Sequence, residues 1–259
     1  DFFQGLLDQH SQILQFPGLI NNEKIFRILS LKNPHEISNY FINTYPNFFN
    51  SRLGTQLTYV ERHDKLGPKK NKFYRVSKNK FIKNFVYMSK KKPAITKLDI
   101  LINLHIAYDL TKRKKRGKKK IIFIHTHIIE FTKRFVEFVS SKDITIIHIM
   151  RNPLSAINSP VKNWLNFRNG KYFFPLSLYY HLDLAFKGIA NLVMLKKRIF
   201  IVQLEKLHRE HKKVMHDFCK IFKIKYEKCL EKPTYFGLLW WGDKISNRWR
   251  PGVNKNFKI

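Results

Sequence analysis

Apolar residues recur along this chain in two rhythms. In the first they return every three or four positions, the period of one face of an α-helix. Phe2, Phe3, Leu6, Leu7, Ile13 and Leu14 give residues 2–14 this character, and Pro17-Gly18 should stop the element. Helical pieces are expected around 23–31 and 35–44, with loops at Asn33-Pro34 and Tyr45-Pro46. Residues 67–93 are Lys-rich and read as irregular. The helical period returns over 94–111 through Leu98, Leu101, Ile102, Ile106 and Leu110, and again over 128–139, 153–166, 176–197 and 206–222. Pro160 is expected to kink the element that contains it. The second rhythm is unbroken: Ile121–Ile124, Ile144–Met150 and Ile199–Val202 are short apolar runs rich in β-branched residues, which predicts buried strands.

Short apolar strands alternating with amphipathic helices predict an α/β protein in three layers, a central parallel sheet with helices on both faces. Ligands in such a sheet bind at the carboxyl ends of the strands, which directs attention to the residues after 124, 150 and 202. The 259 residues, 44% of them hydrophobic, suffice for one sizeable core and are read as a single domain over 1–259. No run of about 18 apolar residues occurs, so no membrane span is expected. The chain opens at Asp1 within what reads as a helix, without a signal peptide, and is expected to be a fragment or a processed chain. Cys219 and Cys229 have neither metal-type spacing nor further partners, which fits buried thiols, a reducing compartment and a cytoplasmic location.

Charge changes the picture. A formal net charge of +32 draws anions to the surface: nucleic acid, acidic glycans, nucleotides or anionic lipid. Part of it reflects composition, since Lys greatly outnumbers Arg and Asn, Ile and Phe are plentiful, as an AT-rich coding sequence would give. The basic run Lys112 to Lys120 cannot be buried and reads as a solvated connection or an anion-binding patch. No nucleic-acid-binding motif accompanies it, and aromatic residues do not interleave with it as a stacking platform requires.

Two strand ends carry candidate chemistry. After the second strand comes Arg151-Asn152-Pro153, with Ser159 about two turns into the expected helix. Asn152 suits an N-cap and Pro153 the first turn. Free backbone N–H groups there favour an anion, and the Arg151 guanidinium offers a fork to phosphate. In the competing reading Arg151 pairs with a carboxylate and Ser159 merely packs. After the first strand comes His125-Thr126-His127, whose two imidazoles are two residues apart and so share a face. A neutral imidazole suits a general base near neutral pH. With His148 the pair could also form a three-histidine zinc site, and each histidine could instead be a packing or surface residue.

The segment Ile146–Pro153 followed by Ser159 resembles the strand–Arg-Asp/Asn-Pro–helix–Ser element of PAPS-dependent sulfotransferases. Further segments match in the family's order. Leu6-Leu7-Asp8-Gln9-His10 and Phe16-Pro17-Gly18 are similar to the helix after the family's 5′-phosphosulfate loop. Val202-Gln203-Leu204-Glu205-Lys206-Leu207 resembles the Val-x-Tyr-Glu-Asp-Leu strand end, with Leu204 in place of the aromatic and Lys206 in place of the acid. Pro233-Thr234, Gly237 and Trp240-Trp241-Gly242-Asp243 resemble a late stretch of the bacterial branch, and Arg248, Arg250 and Gly252 its C-terminal basic loop.

The resemblance implies a P-loop NTPase-like fold. It also implies PAPS as donor, PAP as product, no metal, and a hydroxyl- or amine-bearing acceptor such as a glycan or another small acceptor. Arg151 and Ser159 would grip the 3′-phosphate, with Arg248, Arg250 and Gly252 closing over it. His127 would be the base, with Glu130 as a fallback. His125 stands where the family often has Lys, and would supply a weaker positive charge or orient His127. Residues 19–95 match no family segment and would face the acceptor. The phosphosulfate loop is expected immediately before Asp1, so that these residues alone should bind PAP weakly and transfer little sulfate. The alternative is a non-enzymatic basic binder of nucleic acid or acidic polymers.

Overall fold

The N-terminal apolar stretch divides where its backbone turns. In the computed structural model of the chain, which describes residues 2–20, 23–53, 63–91, 95–112, 118–152, 190 and 193–242, helix α1 (Phe2–Leu7) ends at a turn in which Gln9 takes φ 65°. Ile13 and Leu14 then enter strand β1 (Ile13–Gln15), not the helix expected over 2–14. An adjacent β-branched and aliphatic pair fits a strand buried on both faces as well as it fits a helix face, and three residues are too few to show a period. Strand β1 runs parallel to β2 (Ile121–Phe123), with Ile13 opposite Ile121 and Gln15 opposite Phe123.

Between these strands lie helices α2 (Lys24–Ser30), α3 (Pro34–Thr44), α4 (Pro46–Phe49), α5 (Lys78–Ser89) and α6 (Lys97–Lys112). Asn33 is the N-cap of α3: its side chain accepts from the N–H groups of His35 and Glu36, with Pro34 in the first turn. Ser77 caps α5 in the same way through Lys80 N–H. That helix lies inside the stretch read as irregular. Its buried residues, Phe81, Phe85, Val86 and Ser89, form a helical stripe that the surrounding lysines obscure. Helix α6 opens with a reciprocal cap, Thr96 Oγ1 accepting from Asp99 N–H while the Asp99 carboxylate accepts from Thr96 N–H and Oγ–H.

The described residues group into two compact units. The first draws on Asp1–His127, Phe138–Ser140 and Met215–Gly252. Its core is aromatic and centres on Phe16, whose ring lies 5.0 Å from Phe41, 5.3 Å from Phe48, 5.1 Å from Tyr108 and 4.0 Å from the buried imidazole of His105. Gly18 passes so close to this cluster that a Cβ would meet Phe48 Cε1 at 3.0 Å. The unit also holds a hairpin of β5 (Thr234–Tyr235) and β6 (Leu238–Leu239), joined by Phe236 and Gly237, both at positive φ (58° and 69°). Two central residues of this kind make a type I′ turn. A bulky Phe is unfavourable there, and its ring is held by stacking on Tyr74 at 4.4 Å.

The second unit draws on Ile128–Glu137 and Ser141–Val214. Strand β3 (Thr145–Met150) pairs parallel with β4 (Arg198–Gln203) along its whole length, from Thr145 opposite Arg198 to Met150 opposite Gln203. The sequence predicts buried strands here. The structure leaves Ile149, Met150 and Ile201 exposed, while Ile146 and Val202 are buried. Helix α7 (Ile129–Val139) precedes β3. After β4 the helix expected over 206–222 is two, α8 (Leu204–Arg209) and α9 (His211–Ile221), because Glu210 leaves helical geometry (φ −122°, ψ 35°). The helices expected over 153–166 and 176–197 fall almost entirely outside the described residues.

The chain is thus a mixed α/β protein with short parallel strand pairs. Among the described residues no helix is long and apolar enough to cross a membrane.

Candidate functional site

The carboxyl end of β2 is built around a buried amide. Gln4, 2% exposed on α1, donates from Nε2 to the carbonyl oxygens of Phe16 (2.8 Å) and Gly18 (3.3 Å), in the loop that leaves β1. Its Oε1 lies 2.8 Å from His125 Nδ1 and accepts from the Tyr235 hydroxyl at 3.3 Å. The same loop meets the strand end through backbone, Ile20 N–H donating to His125 C=O at 2.9 Å. Helix α1, the β1 loop, the β2 end and the β5–β6 hairpin therefore converge on one side chain.

His125 is half-buried and His127 is exposed; their rings meet edge to face, 4.8 Å between centroids. Loss of hydration holds the His125 imidazole well below the ordinary histidine range, and the neighbouring imidazoles of His127 and His63 act in the same direction. The pKa of His127 is lowered by the same cause, although its exposure to solvent limits how far. Both rings are therefore neutral near pH 7. That suits a base. His63, fully buried, packs 4.0 Å from the Tyr235 ring, and burial pushes its pKa down to about 3.

Just past the end of α1, Asp8 is buried and organises the hairpin. Its Oδ2 accepts from Gly237 N–H (2.7 Å) and from the Thr234 hydroxyl (2.9 Å). Gly5 lies against Pro233, where a Cβ would come within 3.1 Å of the ring. Beyond it, His10 accepts the Gln12 N–H at Nδ1 and lies 2.8 Å from Lys225 C=O through Nε2, the pattern of a neutral Nε2–H tautomer. Its 4.0 Å approach to Glu227 is therefore a contact and not an ion pair. Glu227 instead accepts from the Ser11 N–H and hydroxyl.

The second strand end belongs to the other unit. Since Met150 pairs with Gln203, Arg151-Asn152 and Leu204-Glu205 leave their strands side by side. The buried Glu205 carboxylate accepts the Asn152 N–H at 2.9 Å. Arg151 is half-buried, and its charge lies near enough to His208 to help lower that imidazole's pKa, after the larger effect of burial. Pro153, Ser159, Arg248, Arg250 and Gly252 lie outside the described residues.

Other sequence readings resolve differently. Among the described residues no three His, Cys, Asp or Glu side chains gather as a metal site. Three described lysines of the basic run are in contact with the fold. Lys112 lies 4.4 Å over the Phe236 ring, Lys119 pairs with Asp109 at 3.3 Å, and Lys120 donates to Lys223 C=O. Cys219 and Cys229 are free thiols, and burial pushes them up to about 11 and about 12, so both stay protonated. Gln4, His63 and Tyr235 were not singled out from sequence. No local pattern marks them, because their partners lie 12 to 231 residues away.

No family model, curated protein or solved structure matches the chain.

Proposed function

We propose that this chain carries a sulfotransferase domain that moves a sulfuryl group from PAPS to a hydroxyl or amine acceptor, such as a glycan or another small acceptor. One observation supports this above the others. Segments that resemble that family, and are remote in sequence, meet in space in both units. Leu6–His10 meets Pro233–Gly237 through Asp8, and Arg151-Asn152 meets Leu204-Glu205 through the Glu205 carboxylate. Chance matches scattered over the chain have no reason to pair in this way.

The reading entails the three-layer parallel sheet and gives each residue a task. Arg151, with Ser159, holds the 3′-phosphate of the donor; Arg248, Arg250 and Gly252 close over it. The acceptor oxygen or nitrogen attacks sulfur in line. A new bond to sulfur forms as the bond from sulfur to the 5′-phosphate oxygen breaks, and PAP leaves with that electron pair. The acceptor's proton passes to an imidazole of the His125–His127 pair, for which the family resemblance nominates His127. Positioning and charge neutralisation supply most of the rate, as in phosphoryl transfer.

Calorimetry of the full-length protein with PAP tests the reading. Binding that Arg151→Ala weakens at least about tenfold, the loss of about 1.4 kcal/mol, is the expected result. Absence of binding, or binding indifferent to Arg151→Ala, overturns it. The +32 charge favours a second reading, a basic binder of nucleic acid or acidic polymers. Affinity that falls steeply with salt, without sequence preference and without PAP binding, would establish that reading instead.

A further inference from the structure

We propose that Gln4 is a positioning residue that fixes the tautomer of His125, so that His125 Nε2, and not His127, is the proton-accepting nitrogen of the site. Two backbone oxygens fix the orientation of the Gln4 amide. Phe16 C=O and Gly18 C=O lie 2.8 Å and 3.3 Å from one terminal atom of Gln4, and carbonyl oxygens accept only, so that atom is the NH2 group. The other terminal atom is then the amide oxygen. Tyr235 O–H donates to it, and so must His125 Nδ1 at 2.8 Å. A neutral imidazole carrying its proton on Nδ1 keeps its lone pair on Nε2. Every partner in this chain of donors is set by a neighbour, and it begins at main chain that cannot reverse its polarity.

The titratable groups around His125 do not disturb this. His127 lies edge-on at 4.8 Å, His63 is buried and neutral near pH 7, and the Tyr235 hydroxyl already donates to the same amide oxygen. A base needs a defined lone pair within reach of the proton it takes. His125 has its ring fixed from behind by a buried, doubly anchored amide, whereas His127 is exposed. The catalytic half of the inference rests on the sulfuryl-transfer reading; the tautomer does not.

The test separates the two. In the full chain labelled with 15N-histidine, His125 resonances, assigned by their loss in His125→Gln, should show a protonated Nδ1 and a bare Nε2. Folded Gln4→Leu should lose that preference. Gln4→Glu should restore it, since a protonated carboxyl offers a donor to Phe16 C=O and an acceptor to Nδ1–H. An Nε2–H tautomer in the unmutated chain, or an unchanged Nδ1–H tautomer in folded Gln4→Leu, overturns the role of Gln4. If Gln4→Leu does not fold, the tautomer of the unmutated chain and of Gln4→Glu decides. For catalysis, PAP release from PAPS with an acceptor is followed against pH. His125→Gln should cost about a hundredfold or more in kcat and abolish the acid limb of the profile, and that limb should persist in His127→Gln. The reverse pattern returns the proton to His127. An Nδ1–H tautomer in a full-length protein that releases no PAP leaves Gln4 its structural role and overturns the sulfuryl-transfer reading alone.

Discussion

Acidification should strike first at the aromatic core around Phe16. His105, 2% exposed, donates from Nδ1 to Leu101 C=O at 2.8 Å, and its Nε2 is buried with no hydrogen-bond partner. Burial lowers its pKa to about 4, and that of the equally buried His63 to about 3. In the unfolded chain both return to about 6.5. A histidine depressed in the native state is neutral in both states at high pH. As pH falls below about 6.5 the unfolded state binds protons that the native state refuses, so stability falls, by about 1.4 kcal/mol per pH unit for each such group. Integrated from about pH 8 to about pH 5, that is about 2 kcal/mol each and about 4 kcal/mol together, against a total stability of about 5–15 kcal/mol for a domain. Urea denaturation followed by tryptophan fluorescence at several pH values measures it. His105→Phe keeps the ring against Phe16 and removes the titration. It should leave stability near neutral pH unchanged within about 1 kcal/mol and recover about 2 kcal/mol at about pH 5. An equally steep acid loss in His105→Phe would refute the reasoning.

Other substitutions test the packing that frames the site. Asp8→Ala removes the acceptor of Gly237 N–H and the Thr234 hydroxyl and should cost about 2–4 kcal/mol by urea midpoint, with Thr234→Val costing about 1 kcal/mol. Phe236→Asn puts a residue better suited to positive φ into the turn, yet should destabilise by about 1 kcal/mol, because the stack on Tyr74 is lost. Gly18→Ala should cost about 1–2 kcal/mol by thermal denaturation, since its Cβ presses on Phe48. Glu205→Gln leaves Asn152 N–H a neutral acceptor and should weaken PAP binding less than Arg151→Ala does, measured by the same calorimetry.

What could be read from sequence divides along physical lines. Elements with a sustained period, such as α3 and α7, were legible almost to the residue, α6 to within three, and the β-branched runs of β2, β3 and β4 to within one. Strand β1 was not, because Ile13 and Leu14 satisfy a helix face and a strand equally and only the pairing with Ile121 and Ile122 decides. Helix α5 was hidden because its four buried positions are spread among exposed lysines, so average hydrophobicity misleads where the stripe does not. Among the candidate residues, His125, His127 and Arg151 stood out because they follow apolar runs. Gln4 and Tyr235 did not: a glutamine and a tyrosine acquire meaning only from partners on distant segments. The split of 206–222 at Glu210 has no marker in the sequence that we can identify.

The pairing of Gln4, Asp8, Ser11 and Gln12 with residues 225–237 also constrains the order of events during synthesis. Asp8 and Gly237 are 229 residues apart, and Gln12 and Lys225 are 213 apart. A nascent chain emerging from the ribosome exposes α1 and β1 long before the segment that satisfies their polar groups exists. The first unit can condense around Phe16 early, since α3, α4, α5 and α6 are close in sequence, but it cannot seal the side that holds His125. The candidate base should therefore be among the last groups to be ordered, with closure timed by delivery of the Pro233–Gly237 turn.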